Sequence, residues 1–283
     1  MSKSLNLFEF KVTMESLRQR WNVATKFLTG HLYTELGFIH PDISSLKLLD
    51  EWYSKVEQHY NEPHRAYHNL THVQDVFSSL DLLLVDDDIA DTAIVTLATF
   101  FHDVIYNPQS STNEQDSADL FLNFVSDLMN GMQRTGNESI PPAHFDISTE
   151  SNVVSQIKQC IIATATHIHS AHQAHMSQNG TLLSAFLDAD MSILGKDTNT
   201  YDKYASSIRK EYEFVERSMY CEKRAEILTS FLPSTLSSIE ERKQHQYIYA
   251  TEKGREIWEM QAQENLKREI NMLRQGLIPL ENN

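Results

Sequence analysis

Glycine and proline are scarce in this 283-residue chain, 8 and 7 respectively, about half their usual combined share. A chain so poor in turn-formers does not suit a sandwich or barrel of many short strands. It suits long helices joined by few turns. Cysteine is scarcer still. Cys160 and Cys221 cannot build a disulfide framework or an all-cysteine zinc site, and they read as reduced thiols of an intracellular protein. Long apolar runs are missing as well. The strongest, Ala93 to Phe101, is far too short to span a bilayer and carries Thr96 and Thr99. Glu9 and Lys11 interrupt the N-terminus before it reaches signal-peptide length. These absences predict a soluble, cytoplasmic protein with no membrane partner. Positive charge is in deficit, with 24 basic against 39 acidic residues and a formal net charge of -15. Such a balance argues against a nucleic-acid polymer, which needs a basic face. It leaves room for a small phosphorylated substrate held by a metal.

Helical periodicity dominates what is present. Leu17, Trp21, Ala24 and Leu28 fall at helical spacing, as do Leu49, Trp52, Tyr53, Val56 and Tyr60. A third stripe, Val73, Val76, Phe77, Leu80 and Leu84, stops at Asp86-Asp87-Asp88, and a new helix runs through Ile89, Ala93, Leu97 and Phe101. Asn113 is placed as an N-cap for a helix carrying Ala118, Phe121 and Val125. Further helices are expected through Val153–Ile161, Thr198–Val215 and Cys221–Phe231, with a charged one containing Ile257, Leu266 and Leu273. Strand signals are weak, at Leu5–Val12 and Gln246–Ala250. The clearest break, 130–151, holds Gly131, Gly136, Pro141 and Pro142 and reads as a loop or lid inside a single domain.

Ten of the 13 histidines lie between His59 and His175. In Tyr67-His68-Asn69-Leu70-Thr71-His72, the two histidines share a helical face if a helix covers both. Alternatively Asn69 or Thr71 is an N-cap and His68 precedes the helix. On its own the pair is weak evidence for a metal. His102-Asp103 ends the most apolar helix, so burial is expected, and a buried carboxylate needs a partner or a metal. Asp188 and Asp190 again follow an apolar run, Leu182 to Leu187. Two residues apart on a helix, they point in different directions, so that one can ligate while the other orients a ligand. This second carboxylate pair favours a metal site over an isolated His-Asp hydrogen bond.

The order His72, His102-Asp103, Asp190 resembles the H…HD…D signature of the HD superfamily of metal-dependent phosphohydrolases. The blocks 62–72, 100–108, 113–118, 163–167, 187–195 and 208–212 are similar to one bacterial branch of predicted HD phosphohydrolases, from about Arg20 to about Leu273. The resemblance implies an all-α HD-type helical bundle with additional N- and C-terminal helices, forming one domain over 1–283 with its metal-binding core at about 50–215. The segment 130–151 departs from the pattern as an insertion. The resemblance makes His72, His102, Asp103 and Asp190 the metal ligands. By similarity to the first metal motif of the cyclic-nucleotide phosphodiesterases, it makes His68 a candidate general acid; His68 as ligand in place of His72 is the alternative.

The expected activity is hydrolysis of a small phosphorylated metabolite, a nucleotide foremost, by water activated on a divalent ion (Mn, Fe, Co, Ni, Zn or Mg). Glu114, opening the next helix, is a candidate to accept or orient the water's proton, or else a favourable first-turn carboxylate. Arg65 is a candidate phosphate clamp or a surface salt-bridge partner, and Arg209 a candidate substrate contact. His167 and Asp188 are candidates for orienting a ligand or holding a second ion; His169, His172 and His175 read as solvated. Two other functions fit the same residues, a di-iron oxygenase of the HD fold and a nucleotide-binding module without turnover. The chain is compatible with a homo-oligomer.

Overall fold

The computed structural model describes residues 16–36, 44–84, 88–133, 151–175, 180–232 and 247–280. The fold is all-α. Among the described residues there is no strand: 247–250, expected as a weak strand, are irregular. The other strand signal, Leu5–Val12, lies outside the described residues. So does most of 130–151, although Asn130 to Gln133 still belong to a helix and Ser151 caps the next one. No described helix is long and apolar enough to cross a membrane.

The chain divides into two compact units, Met1–Glu62 with Leu84–Thr164, and Pro63–Leu83 with Ala165–Asn283. The first contains α1 (Leu17–Leu36), α2 (Ser44–Tyr60), α4 (Ile89–Phe101), α5 (Asn113–Gln133) and α6 (Asn152–Ala163). Helix α4 packs against both α1 and α6. It is buried without a break from Ala93 to Phe101, as a helix apolar on all faces must be. The Asp88 carboxylate caps its start by accepting the Asp91 N–H. Trp21 of α1 is fully buried and meets Tyr53, Phe100, Phe101 and Phe124 at centroid distances of 5.4–6.0 Å. Its indole N–H donates to the Leu49 carbonyl. Helix α5 begins at Asn113, and the cap is the residue before it. The Thr112 carbonyl accepts the first helical bond from Asp116, while the Asn113 amide is turned back to both backbone groups of Asn107.

The second unit contains α3 (Leu70–Leu83), α7 (His167–His175), α8 (Thr181–Asp190), α9 (Thr198–Glu211), α10 (Arg217–Phe231) and α11 (Met260–Leu273). Helix α8 packs on α7 and α3, and a 3-10 turn, Met191–Gly195, leads out of it onto α11. That turn is held on two sides. The Ser192 hydroxyl bonds Ser79 of α3 at 2.7 Å, and the Asn265 amide of α11 donates to the Leu194 and Lys196 carbonyls. Gly195 lets the turn touch Trp258, because a Cβ there would lie 2.4 Å from the Trp258 Cβ and 2.7 Å from its carbonyl oxygen. Neither atom can swing aside. Gly195→Ala is expected to destabilise the fold by about 1–3 kcal/mol, read as a lower midpoint in denaturant unfolding; an unchanged midpoint contradicts this packing.

Candidate metal centre

His72 sits in the first turn of α3 and is 3 % exposed. The helix starts after Asn69, whose side-chain oxygen accepts the Thr71 N–H at 2.8 Å. Asn69 is therefore the cap, and His68 lies in the loop before it. His68 and His72 do not share a helical face; their rings approach edge to face at 5.8 Å.

Asp190 is the last residue of α8 and is 8 % exposed. A carboxylate buried at a helix C-terminus meets two costs, lost hydration and the negative end of the helix dipole. Hydrogen-bond donors or a cation must offset both. Two imidazole nitrogens face it: His72 Nε2 lies 3.2 Å from Oδ1 and His167 Nε2 2.6 Å from Oδ2. His167 is the first residue of α7, with a side chain 31 % exposed.

His102 caps the C-terminus of α4 and is 1 % exposed. Its Nδ1 lies 2.9 Å from the Thr99 carbonyl oxygen, which can only accept. Nδ1 therefore carries the proton, and in the neutral ring Nε2 presents its lone pair. Asp103 Oδ2 stands 3.1 Å from that Nε2. Two lone pairs so placed require a proton or a cation near them.

Within the second unit, then, the buried Asp190 carboxylate is faced by the Nε2 atoms of His72 and His167, and within the first, His102 Nε2 is faced by Asp103. Imidazole nitrogens and carboxylate oxygens are the mixed donors that suit divalent transition metals, so each group could contribute to holding a metal ion.

The loop of His68 is set by a residue whose role the sequence reading did not identify. Glu211, at the end of α9, has a side chain with no exposure. One of its oxygens accepts the Tyr67 and His68 N–H groups at 2.7 and 2.9 Å, and the other accepts His68 Nδ1 at 2.6 Å. Burial alone would push the Glu211 carboxyl up. The His68 hydrogen bond and charge, with the two backbone N–H groups, instead hold it down at about 2. Arg65, 6 % exposed, supports the same loop by donating to the His68 carbonyl at 3.0 Å; it is not a surface salt-bridge residue.

The remaining candidates have other surroundings. Asp188 gives both oxygens to Ala250 and Thr251, and burial pushes it up to about 6 against those hydrogen bonds. Arg209 donates to the Tyr212 and Val215 carbonyls and lies over the Tyr220 ring. Glu114 is half-buried in the first turn of α5. His172, expected to be solvated, approaches the Tyr247 carbonyl with Nε2 at 2.8 Å.

Glu211 has a carboxyl lower in the fold than in the unfolded chain. The stability it contributes is full above the ordinary value of 4.5 and is lost as pH falls toward about 2. Glu211→Gln should lower stability at neutral pH by about 2–3 kcal/mol and flatten the loss between those pH values. Urea unfolding from pH 2 to 7 checks both effects; an unaltered acid limb would contradict them.

No protein-family model, no curated protein and no solved structure matches this chain. The buried Asp190 carboxylate with His72 and His167 on it, whose donors could help hold a metal ion, is therefore the feature on which a functional reading rests.

Proposed function

We propose that the protein is a metal-dependent phosphohydrolase of the HD type, acting on a small phosphorylated metabolite, a nucleotide foremost. The observation that carries this reading is the buried Asp190 carboxylate with His72 Nε2 and His167 Nε2 on its two oxygens. The H…HD…D ligand set would be completed by His102 and Asp103, which stand together in the first unit. A divalent ion held there supplies an acidified water and neutralises charge around phosphorus.

The chain's own residues do the rest. His68 is the proton donor to the leaving oxygen. With Nδ1 held by the Glu211 carboxylate, the ring's other nitrogen is the one that delivers the proton. The two backbone bonds to Glu211 fix the height of this loop, and Arg65 fixes it from the carbonyl side. As water attacks phosphorus it would lose a proton to bulk solvent, the bond to the leaving oxygen would break, and that oxygen would take the His68 proton. His167, on the second oxygen of Asp190, orients that carboxylate. The substrate's phosphate relies on the ion and nearby cations, because a net charge of -15 repels it.

The di-iron oxygenase reading has one specific support, the His167 nitrogen on Asp190 Oδ2, a place where a second ion could bind. Metal analysis separates the two: two irons per chain with O₂ consumption favour the oxygenase.

For the hydrolase, purified protein supplied with Mn, Co or Mg should release phosphate from at least one member of a nucleotide panel. His102→Ala should lose bound metal and at least about 100-fold in rate. Full metal content and full activity in that variant would overturn the assignment. His68→Gln should keep the metal and lower kcat about 100-fold or more, with little change in KM. A variant that loses metal instead makes His68 a ligand.

A further inference from the structure

We propose that the irregular segment 247–251 is a brace for the metal centre, and that Asp188 is the positioning residue through which it acts on Asp190. The proposal rests on the metal reading above and adds to it a part of the chain distant in sequence from every ligand.

The segment is held by side chains from several helices of one unit. Asp188, 2 % exposed, accepts the Ala250 N–H at 2.9 Å on one oxygen, and the Thr251 N–H and hydroxyl, both at 2.7 Å, on the other. Glu259, 8 % exposed, accepts the Ile248 N–H at 3.0 Å and the Tyr249 N–H at 3.2 Å. The Tyr249 hydroxyl donates to the Met191 carbonyl at 3.0 Å. Arg255 donates to the Ala250 carbonyl at 2.6 Å. The approach is close enough that a Cβ on Gly254 would lie 2.8 Å from Asp188 Oδ2.

These contacts bracket Asp190. Asp188 stands two residues before it and Met191 one residue after, so the brace grips the last turn of α8 on both sides. His172 of α7 reaches the Tyr247 carbonyl, and the same helix begins with His167, which faces Asp190 Oδ2. Ile248 and Tyr249 already pack into the apolar core of this unit, so apolar contact alone could fasten the segment without the desolvation cost of two buried carboxylates. What the carboxylates add is register, because each lone pair accepts from a particular N–H. The last turn of α8 can neither rotate nor unwind without breaking three bonds to Asp188. The direction of the Asp190 carboxylate is thereby set from residues 250 and 251.

Coupling of this kind is reciprocal. An ion bound by Asp190 tightens the brace, and loosening the brace weakens the ion by the same factor. Asp188 and Thr251 would act only through Asp190, without touching the ion.

The test uses the full-length, metal-stripped protein and Mn²⁺ alone, titrated by calorimetry. Asp188→Asn and Thr251→Val are expected to weaken Mn²⁺ binding about 10-fold or more. Thr251→Ser, which keeps both donors, should bind like the wild type. In the wild type, amide exchange at residues 248–251 should slow when Mn²⁺ is added. A merely structural role moves the melting temperature but neither the Thr251→Ser rescue nor the metal-dependent exchange. Folded Asp188→Asn or Thr251→Val protein that binds Mn²⁺ as tightly as wild type overturns the proposal, as does exchange indifferent to Mn²⁺. Should Asp188→Asn fail to fold, Thr251→Val decides. A wild type that binds no divalent ion overturns the metal reading and this inference together, whereas normal binding in the variants overturns the brace alone.

Discussion

The buried carboxylate of Asp190 is the constraint around which the second unit is organised. It stands at the end of α8, where the helix's own carbonyls make the local field negative, and only 8 % of the residue is exposed. Such a group persists when hydrogen-bond donors or a cation are brought to it, and the surrounding elements bring imidazole nitrogens. Helix α3 presents His72 to one oxygen and α7 presents His167 to the other. Both helices are fastened to α8 or to its exit. Ser184 donates to the Ala171 carbonyl of α7, and Ser79 of α3 bonds Ser192. The geometry of the site and the packing of the unit are thus one problem, solved once.

A second theme explains where part of the acidic excess goes. Carboxylates in this protein repeatedly take backbone N–H groups that no helix satisfies. Asp88, Asp197 and Glu216 cap helix starts. Glu211 holds the loop at Tyr67 and His68, and Asp188 and Glu259 hold 248–251. With few glycines and prolines to define turns, irregular backbone is shaped by acceptors placed on neighbouring helices. A buried N–H left without an acceptor costs about 1–3 kcal/mol, so each of these carboxylates is worth its own desolvation only where several such groups converge on it. Glu211 and Asp188 each receive three donors, which is that situation.

Much of the helical content was legible because it depends on local periodicity. The stripes around Trp21, Trp52, Val76, Leu97 and Phe121 fall on observed helices with buried faces. Helix ends were less legible. Asn113 resembles a cap but is the first helical residue, since Thr112 serves and the Asn113 amide binds Asn107. The apolar stretch at Tyr247–Ala250 resembles a strand, yet its N–H groups go to carboxylates and leave nothing for a ladder. Of the candidate residues, His72, His102 and Asp190 carry recognisable ligand chemistry in the sequence. Arg65 and Arg209 are phosphate candidates in the sequence, and the fold adds that each donates to backbone carbonyls nearby. Glu211 sat unremarked within a basic-looking block, Arg209-Lys210-Glu211, because nothing local marks a glutamate whose partners lie 143 and 144 residues away.

The amino-acid sequence by itself determined that the chain is helical, that it carries a net charge of -15, and that its histidines and aspartates offer metal-binding donors. Composition and period suffice for that, because helix formation and ligand chemistry belong to short stretches of chain. Only the tertiary structure decided that Nε2 of His72 faces Asp190 and that Asp188 turns away to residues 250 and 251. It also decided that His68 precedes its helix under the hold of Glu211. These outcomes turn on distances of about 3 Å between groups far apart in the chain, which are fixed only when whole helices pack and every buried polar group must find its partner.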